Sequence, residues 1–174
     1  MQLGLECGSH TLDTAVALGI RGVPIDAQSL VHDGVAVTLA PLRERGLVVC
    51  QIGAFGFNSL STDRLRQAEQ RAILEKAIPL AAEVGCPYIV ICGGNYHPSG
   101  FLAADARNFS LDALDEVARD LEPLLRLAEK HQVKLSIEAY LKTAVTSPGA
   151  FVVLYEKTQS DALRVNIDVT SLYR

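Results

Sequence analysis

Tryptophan is absent, methionine occurs once, and lysines and arginines form no run anywhere in the chain. With 16 basic against 20 acidic residues the net charge is -4, and the sequence pI is about 5.5. A nucleic-acid-binding domain ordinarily carries a basic footprint, with a pI above ~9, so no nucleic-acid partner is expected. No apolar stretch reaches the ~18 residues that suggest a membrane span. Met1 leads into Leu3-Gly4-Leu5-Glu6-Cys7, too short and too polar for a secretory signal. The nucleotide-binding patterns G-x-G-x-x-G and G-x-x-x-x-G-K-[ST] are missing, and so is the serine-hydrolase elbow G-x-S-x-G. The four cysteines, Cys7, Cys50, Cys86 and Cys92, form no C-x-x-C, which argues against a zinc cluster or a disulfide framework. Cys50 and Cys92 sit in apolar runs and read as buried thiols of a reducing, cytoplasmic compartment. With 13 glycines and 7 prolines, neither disorder nor a collagen-like repeat is indicated.

What the chain has is apolar residues, 49% of it, and a mean hydropathy of +0.21. They fall into short β-like runs alternating with longer helical stretches. Strands are expected at 3–7, 22–26, 47–53, 88–92, 134–138 and 163–168. Between them, helices are expected from Thr11 to Gly19, from Asp33 to Arg45, from Ser61 to Gly85, after Ser110, and from Ser147-Pro148. The third of these repeats Leu65, Ala68, Ala72, Ile73, Ala77, Ile78 and Ala81 at the 3.6 period. Pro79 and Pro123 lie inside helical patterns and should bend or open them. Strands alternating with helices imply βαβ units and a parallel sheet. Two architectures compete, an open doubly wound sheet and a closed (β/α)8 barrel. A full barrel takes ~250 residues, roughly 31 per unit. At that rate 174 residues hold between five and six units, matching the strands read here.

Both architectures place ligands beyond the C-terminal ends of the strands. Those ends carry Glu6, Asp26, Gln51, the loop Gly93-Gly94-Asn95-Tyr96-His97-Pro98, Glu138 and Asp168. An apolar strand finishing in a carboxylate needs a metal, a basic partner or water, because an unpaired buried charge is expensive. Glu138 and Asp168 stand one βα unit apart, so on adjacent parallel strands their carboxylates converge. Such a pair suits a divalent cation, Mg2+, Mn2+ or Zn2+; the plainer reading has each acid binding loop amides or a basic side chain. His97 and Asn95 lie in a Gly-Gly loop whose glycines allow a tight turn and close backbone approach to a ligand. They and Glu6 are the candidate substrate-binding residues. Asp26 either lines the mouth or caps a loop.

Four stretches carry a family resemblance: residues 81–90, 127–138, 165–168 and 19–23. Together they resemble the xylose isomerase-like TIM barrels, a group of sugar (phosphate) isomerases and epimerases that includes the endonuclease IV-type AP endonucleases. The resemblance implies that Glu138 and Asp168 are the first two metal ligands of a (β/α)8 barrel. The family's other two, a histidine and an acid, belong to the seventh and eighth strands. The family often has a histidine three residues after the sixth-strand aspartate; Ser171 stands there. His97-Pro98-Ser99-Gly100 is similar to the His-Pro-Gly stretch of the endonucleases.

The activity implied is metal-dependent isomerisation or epimerisation of a small sugar, sugar phosphate or polyol. The cation polarises the carbonyl, and Glu138, as ligand and catalytic carboxylate, moves the proton alpha to it. Asp168 is expected as a pure ligand. The alternatives are an AP endonuclease-like, metal-dependent phosphodiesterase and a catalytically inactive barrel fragment. Counted in βα units, residues 1–174 read as a single, partial barrel domain truncated after the sixth strand. A partial barrel exposes strand edges, so a homo-oligomer covering the open edge is a further expectation.

Overall fold

The computed structural model describes residues 11–172. The expected strand at 3–7, with Glu6, lies outside them. Among the described residues the order is α1 (Leu12–Ala17), β1 (Gly22–Asp26), α2 (Ala27–Arg43), β2 (Val48–Gly53), α3 (Arg64–Val84) and β3 (Tyr88–Cys92). Two 3-10 turns, Gly100–Leu102 and Ala106–Phe109, then lead into α4 (Leu111–Lys130). The chain continues through β4 (Lys134–Glu138), α5 (Pro148–Thr158), β5 (Leu163–Asn166) and α6 (Val169–Leu172).

The five described strands form one parallel sheet in the order β1-β2-β3-β4-β5. That strictly sequential order decides between the two architectures. A doubly wound sheet reverses its strand order at a switch point, whereas a barrel wall adds each strand beside the last. Consecutive helices accordingly pack on one another, α2 on α3, α3 on α4 and α4 on α5.

Alternation along each strand divides the sheet's two faces. Ile52, Ile89, Ile91, Leu135, Ile137 and Leu163 point to the helices and join one buried cluster with the inward faces of α3 and α4. The other face carries Val90, Ser136 and Arg164 in one register row, and Cys92, Glu138 and Asn166 in the next row toward the strand ends. The polar row at the C-terminal edge is therefore a consequence of period two: burying Ile137 and Ile91 turns Glu138 and Cys92 to the opposite side.

The expected Ser110 and Ser147 cap α4 and α5, Asp63 rather than Ser61 caps α3, and Thr11 makes no side-chain cap bond to α1. Asp63 Oδ1 accepts from Arg66 N–H at 3.1 Å, Ser110 Oγ from Ala113 N–H at 3.1 Å, and Ser147 Oγ from Ala150 N–H at 3.2 Å. Asp26 caps α2, accepting from Ser29 N–H at 2.9 Å, so the structure gives it the capping role. α2 begins at Ala27, ahead of the expected Asp33, and its backbone breaks at Gly34 (φ 82°, ψ 162°). α3 and α4 run unbroken through Pro79 and Pro123, so the expected opening there does not occur. Cys50 is exposed on β2, beside the register shift between Val23 and Pro24, which corrects its reading as a buried thiol; Cys92 is half-buried and Cys86 buried. No described helix is long and apolar enough to cross a membrane.

Two glycines with left-handed backbones separate the effect of conformation from that of space. At Gly85 (φ +77°) an added Cβ meets nothing within 4 Å. At Gly94 (φ +80°) it lands 2.8 Å from Ser59 Oγ and 3.0 Å from Leu60 Cγ. Gly85→Ala should cost about 1 kcal/mol, the strain of the left-handed backbone alone. Gly94→Ala adds a collision between two packed loops and should cost about 2–3 kcal/mol. Urea denaturation of the two variants side by side measures the difference.

Candidate active site

The C-terminal edge of the sheet brings together two of the residues singled out above, Glu138 and Asp168. Glu138 ends β4 and is half-buried; Asp168 follows β5 by two residues. Ser171, in the short α6, joins them: its hydroxyl lies 3.0 Å from Glu138 Oε1 and 3.0 Å from Asp168 Oδ2. The two carboxylates thus converge on one point, as adjacent strand ends predict. Asn166 Nδ2 donates to Glu138 Oε2 at 3.4 Å. Asp168 Oδ1 accepts from Thr170 N–H at 2.8 Å and from Thr170 Oγ1 at 2.7 Å.

These bonds favour the charged form of Asp168. Its pKa is lowered, first by the Thr170 hydroxyl, then by the Thr170 amide and the Ser171 hydroxyl. Cys92, paired with Glu138 across the β3–β4 register, behaves oppositely. Burial, with Glu138 beside it, pushes its thiol up to about 12, so it stays protonated. Thr170→Val and Ser171→Ala should each raise the Asp168 pKa toward the ordinary carboxylate value, Thr170→Val by more. Carbon-13 NMR titration of Asp168 in the two variants reads the order directly.

The donor set fits a hard divalent cation. A single hydroxyl hydrogen cannot serve two carboxylates at once, so the point between them has more acceptor capacity than donors. A cation there satisfies both. Glu138 and Asp168 are the residues that would hold it. Among the described residues no group of three or more His, Cys, Asp and Glu side chains gathers at one site, so this pair supplies only part of a coordination shell.

His97 and Asn95 sit over the neighbouring strand. His97 Nδ1 accepts from Ser99 N–H at 3.2 Å and lies 2.7 Å from Ser99 Oγ. Accepting a backbone N–H at Nδ1 leaves the proton of the neutral ring on Nε2. Asn95 is fully buried. Its Nδ2 faces the carbonyls of Gly100, Ala103 and Lys142 at 3.0, 2.8 and 2.9 Å. Its Oδ1 accepts from His97 N–H and Asn108 Nδ2, both at 2.8 Å. Its backbone exchanges two bonds with the Asn58 amide, at 2.8 and 2.9 Å.

Asn58, Asn95 and Asn108 therefore staple together the loops after β2, β3 and β4. The sequence carries no signal of this network: its members are 37 and 13 residues apart, and asparagine has no periodic signature. On the side a Cβ would occupy, Gly93 and Gly94 make room for neighbouring loops. A Cβ on Gly93 would lie 2.8 Å from Thr143 Oγ1 and from Val145 Cβ, so what approaches these glycines is the β4–α5 loop and, at Gly94, the β2–α3 loop.

Between the same three loops lies a cleft of about 520 Å3, bordered by Phe55, Arg66, His97, Phe101 and Tyr140. The Phe55 ring packs on Gly53, where an added Cβ would sit 2.7 Å from Cε2. Lys142 ties two of the loops, donating from Nζ to Leu102 O at 2.9 Å.

Among solved structures the fold is similar to that of 3-keto-D-glucoside 4-epimerase, YcjR, from E. coli, with a TM-score of 0.77 at 17% identity, covering 95% of this chain and 67% of that one. It is similar to a xylose isomerase-like TIM barrel protein from Mycobacterium smegmatis in complex with magnesium, with a TM-score of 0.74 at 18% identity, covering 95% and 57%. A xylose isomerase domain protein from Planctomyces limnophilus follows with a TM-score of 0.70 at 19% identity, covering 98% and 64%. The chain thus spans about three fifths to two thirds of the length of these structural relatives. No curated protein sequence matches it. The family model of the xylose isomerase-like TIM barrel matches residues 12–173, nearly the whole chain. With its sequentially ordered parallel sheet, the chain belongs to the xylose isomerase-like TIM barrel family.

Proposed function

We propose that this chain carries part of the active centre of a divalent-metal-dependent isomerase or epimerase acting on a small sugar, sugar phosphate or polyol. The observation that carries the reading is the convergence of Glu138 and Asp168 on one hydroxyl, each at 3.0 Å, at the C-terminal edge of the sheet. The family, an epimerase among the structural neighbours and another neighbour holding magnesium support it.

When bound, Mg2+, Mn2+ or Zn2+ supplies Lewis acidity toward a carbonyl and its neighbouring hydroxyl. The chain's own residues do the rest. Asp168, kept ionised by Thr170 and Ser171, holds charge at the site. Glu138 has one oxygen on Ser171 and the other in long contact with Asn166. It takes the proton alpha to the substrate carbonyl and returns it to a neighbouring carbon or to the opposite face. His97 offers Nε2–H to a substrate hydroxyl, and Asn95 acts by holding the His97 loop in place. A cytoplasmic setting belongs to the same reading, in keeping with Cys86 and Cys92 as thiols. Against the phosphodiesterase, β2 ends in Gly53 and is followed by Phe55 rather than by histidines.

Two measurements test the proposal on the chain as it is. Calorimetric titration with Mn2+ should show one ion bound. NMR in D2O should show deuterium entering a ketose at the carbon next to its carbonyl, dependent on that ion. Absence of ion-dependent exchange sinks the reading.

A further inference from the structure

The cleft between the loops after β2, β3 and β4 is not the position of the reacting carbons. Neither Glu138 nor Asp168 lines it. It shares the C-terminal edge of the sheet with Glu138, since Tyr140, on its wall, follows the end of β4 by two residues. We infer that this cleft is a second sugar subsite, which holds the distal ring of a neutral two-ring substrate while the reacting ring sits at Glu138 and Asp168. The inference rests on the isomerase or epimerase reading and names its substrate class, a glycoside rather than a free monosaccharide or a sugar phosphate.

Three features carry it. The first is the wall. Phe55, Phe101 and Tyr140 border the cleft, and Phe55 is 41% exposed although its ring packs on Gly53. The negative face of an aromatic ring suits the polarised C–H face of a pyranose, and pockets of this size are ordinarily walled by apolar and aromatic groups with a few placed polar ones.

The second is charge. The ionisable side chains on the cleft, besides the Tyr140 phenol, are Asp63, Arg66 and His97. A single guanidinium, with a carboxylate on the same wall, is no cradle for a phosphate, which is bound by several cationic or amide donors at once. His97 is held with Nδ1 as acceptor, so Nε2–H is the donor available to a neutral hydroxyl.

The third is rigidity. The buried asparagines and the Lys142 bond fix the three loops without a ligand. A preformed cleft saves the ordering that binding otherwise requires.

The test uses the intact chain in buffer with Mg2+ and follows binding of cellobiose, glucose and glucose 6-phosphate by saturation-transfer NMR. Cellobiose should bind about tenfold tighter than glucose, the gain of one aromatic-stacked ring. Phe101→Ala should bring the two within about twofold while glucose affinity holds. Phe101 lies outside the buried core clusters, so the variant should fold; its melting temperature checks this, and Phe55→Ala provides a second reading. Equal binding of cellobiose and glucose by the wild type overturns the inference. So does a cellobiose preference that survives both variants. Tighter binding of glucose 6-phosphate, lost in Arg66→Ala, also overturns it and makes the cleft a phosphate site. The two readings fail separately. A cellobiose preference without solvent deuterium exchange leaves the subsite and sinks the isomerase, and exchange without the preference does the reverse.

Discussion

Glu138→Ala should lower solvent deuterium exchange into the substrate by ~10³-fold or more, with loss of the bound metal ion. The size follows from removing two functions at once. The carboxylate is one of the two that meet at Ser171 among the described residues, so the cation loses half of the negative charge these residues offer it. The same group is the one placed to carry the proton. Glu138→Gln separates the functions from the shape: the amide keeps an oxygen for Ser171 and the length of the side chain but has neither charge nor basicity. It should behave like the alanine variant in exchange. Asp168→Asn, by contrast, should weaken metal affinity more than it slows exchange at saturating metal, since Asp168 holds and does not move a proton. Glu138 is half-buried at the sheet edge, outside the buried core, so the melting temperature should change little. If Glu138→Ala keeps both the ion and the exchange, the site assignment is wrong.

Much of this geometry is legible in the amino-acid sequence. Residues 22–26, 88–92 and 134–138 are delimited by β-branched and apolar runs ending in a polar residue, and β1, β3 and β4 have those bounds. The convergence of Glu138 and Asp168 follows from positions one βα unit apart on sequential strands, although β5 ends at Asn166 rather than at the expected Asp168. Other features depend on tertiary contacts that local pattern does not encode. The early start of α2 is hidden because Asp26 serves as both strand end and helix cap, and Gly34 interrupts the helical pattern partway along. The prolines in α3 and α4 do not open their helices, since packing of the apolar stripe on the sheet outweighs one missing N–H. The glycines before Asn95 also make room, on their Cβ side, for loops distant in sequence. Ser171, at a position where the family often has a histidine, supplies a hydroxyl to both carboxylates instead.

Asn95 is where stability and function meet, and its replacement should have the largest effect on folding. Its side chain faces three carbonyls with one amide nitrogen and takes two donors on one oxygen, all in a fully buried position. Asn95→Ala leaves His97 N–H and an Asn108 hydrogen without partners and takes a donor from the Gly100 and Ala103 carbonyls, while Lys142 O keeps Asn108 Nδ2. At about 1–3 kcal/mol for each buried group left unsatisfied, and with relaxation letting water reach some of them, the loss should be about 3–5 kcal/mol. Asn95→Asp is the sharper variant, because it changes almost no volume. It replaces two donors by an acceptor aimed at the oxygens of Gly100, Ala103 and Lys142, so repulsion takes the place of three contacts. It should destabilise at least as much as alanine at neutral pH. A cavity-driven effect would instead spare the aspartate. Denaturant midpoints of the two variants distinguish the causes, and an Asn95→Asp protein within ~1 kcal/mol of wild type would show that the network contributes little. The functional consequence follows from the same bonds. Asn95 is not on the cleft wall, yet it sets the spacing between the His97 loop and the Lys142 loop. A folded, weakened Asn95→Ala protein should therefore lose the preference for two-ring sugars while the Glu138 and Asp168 pair, at the ends of β4 and β5, still binds its ion.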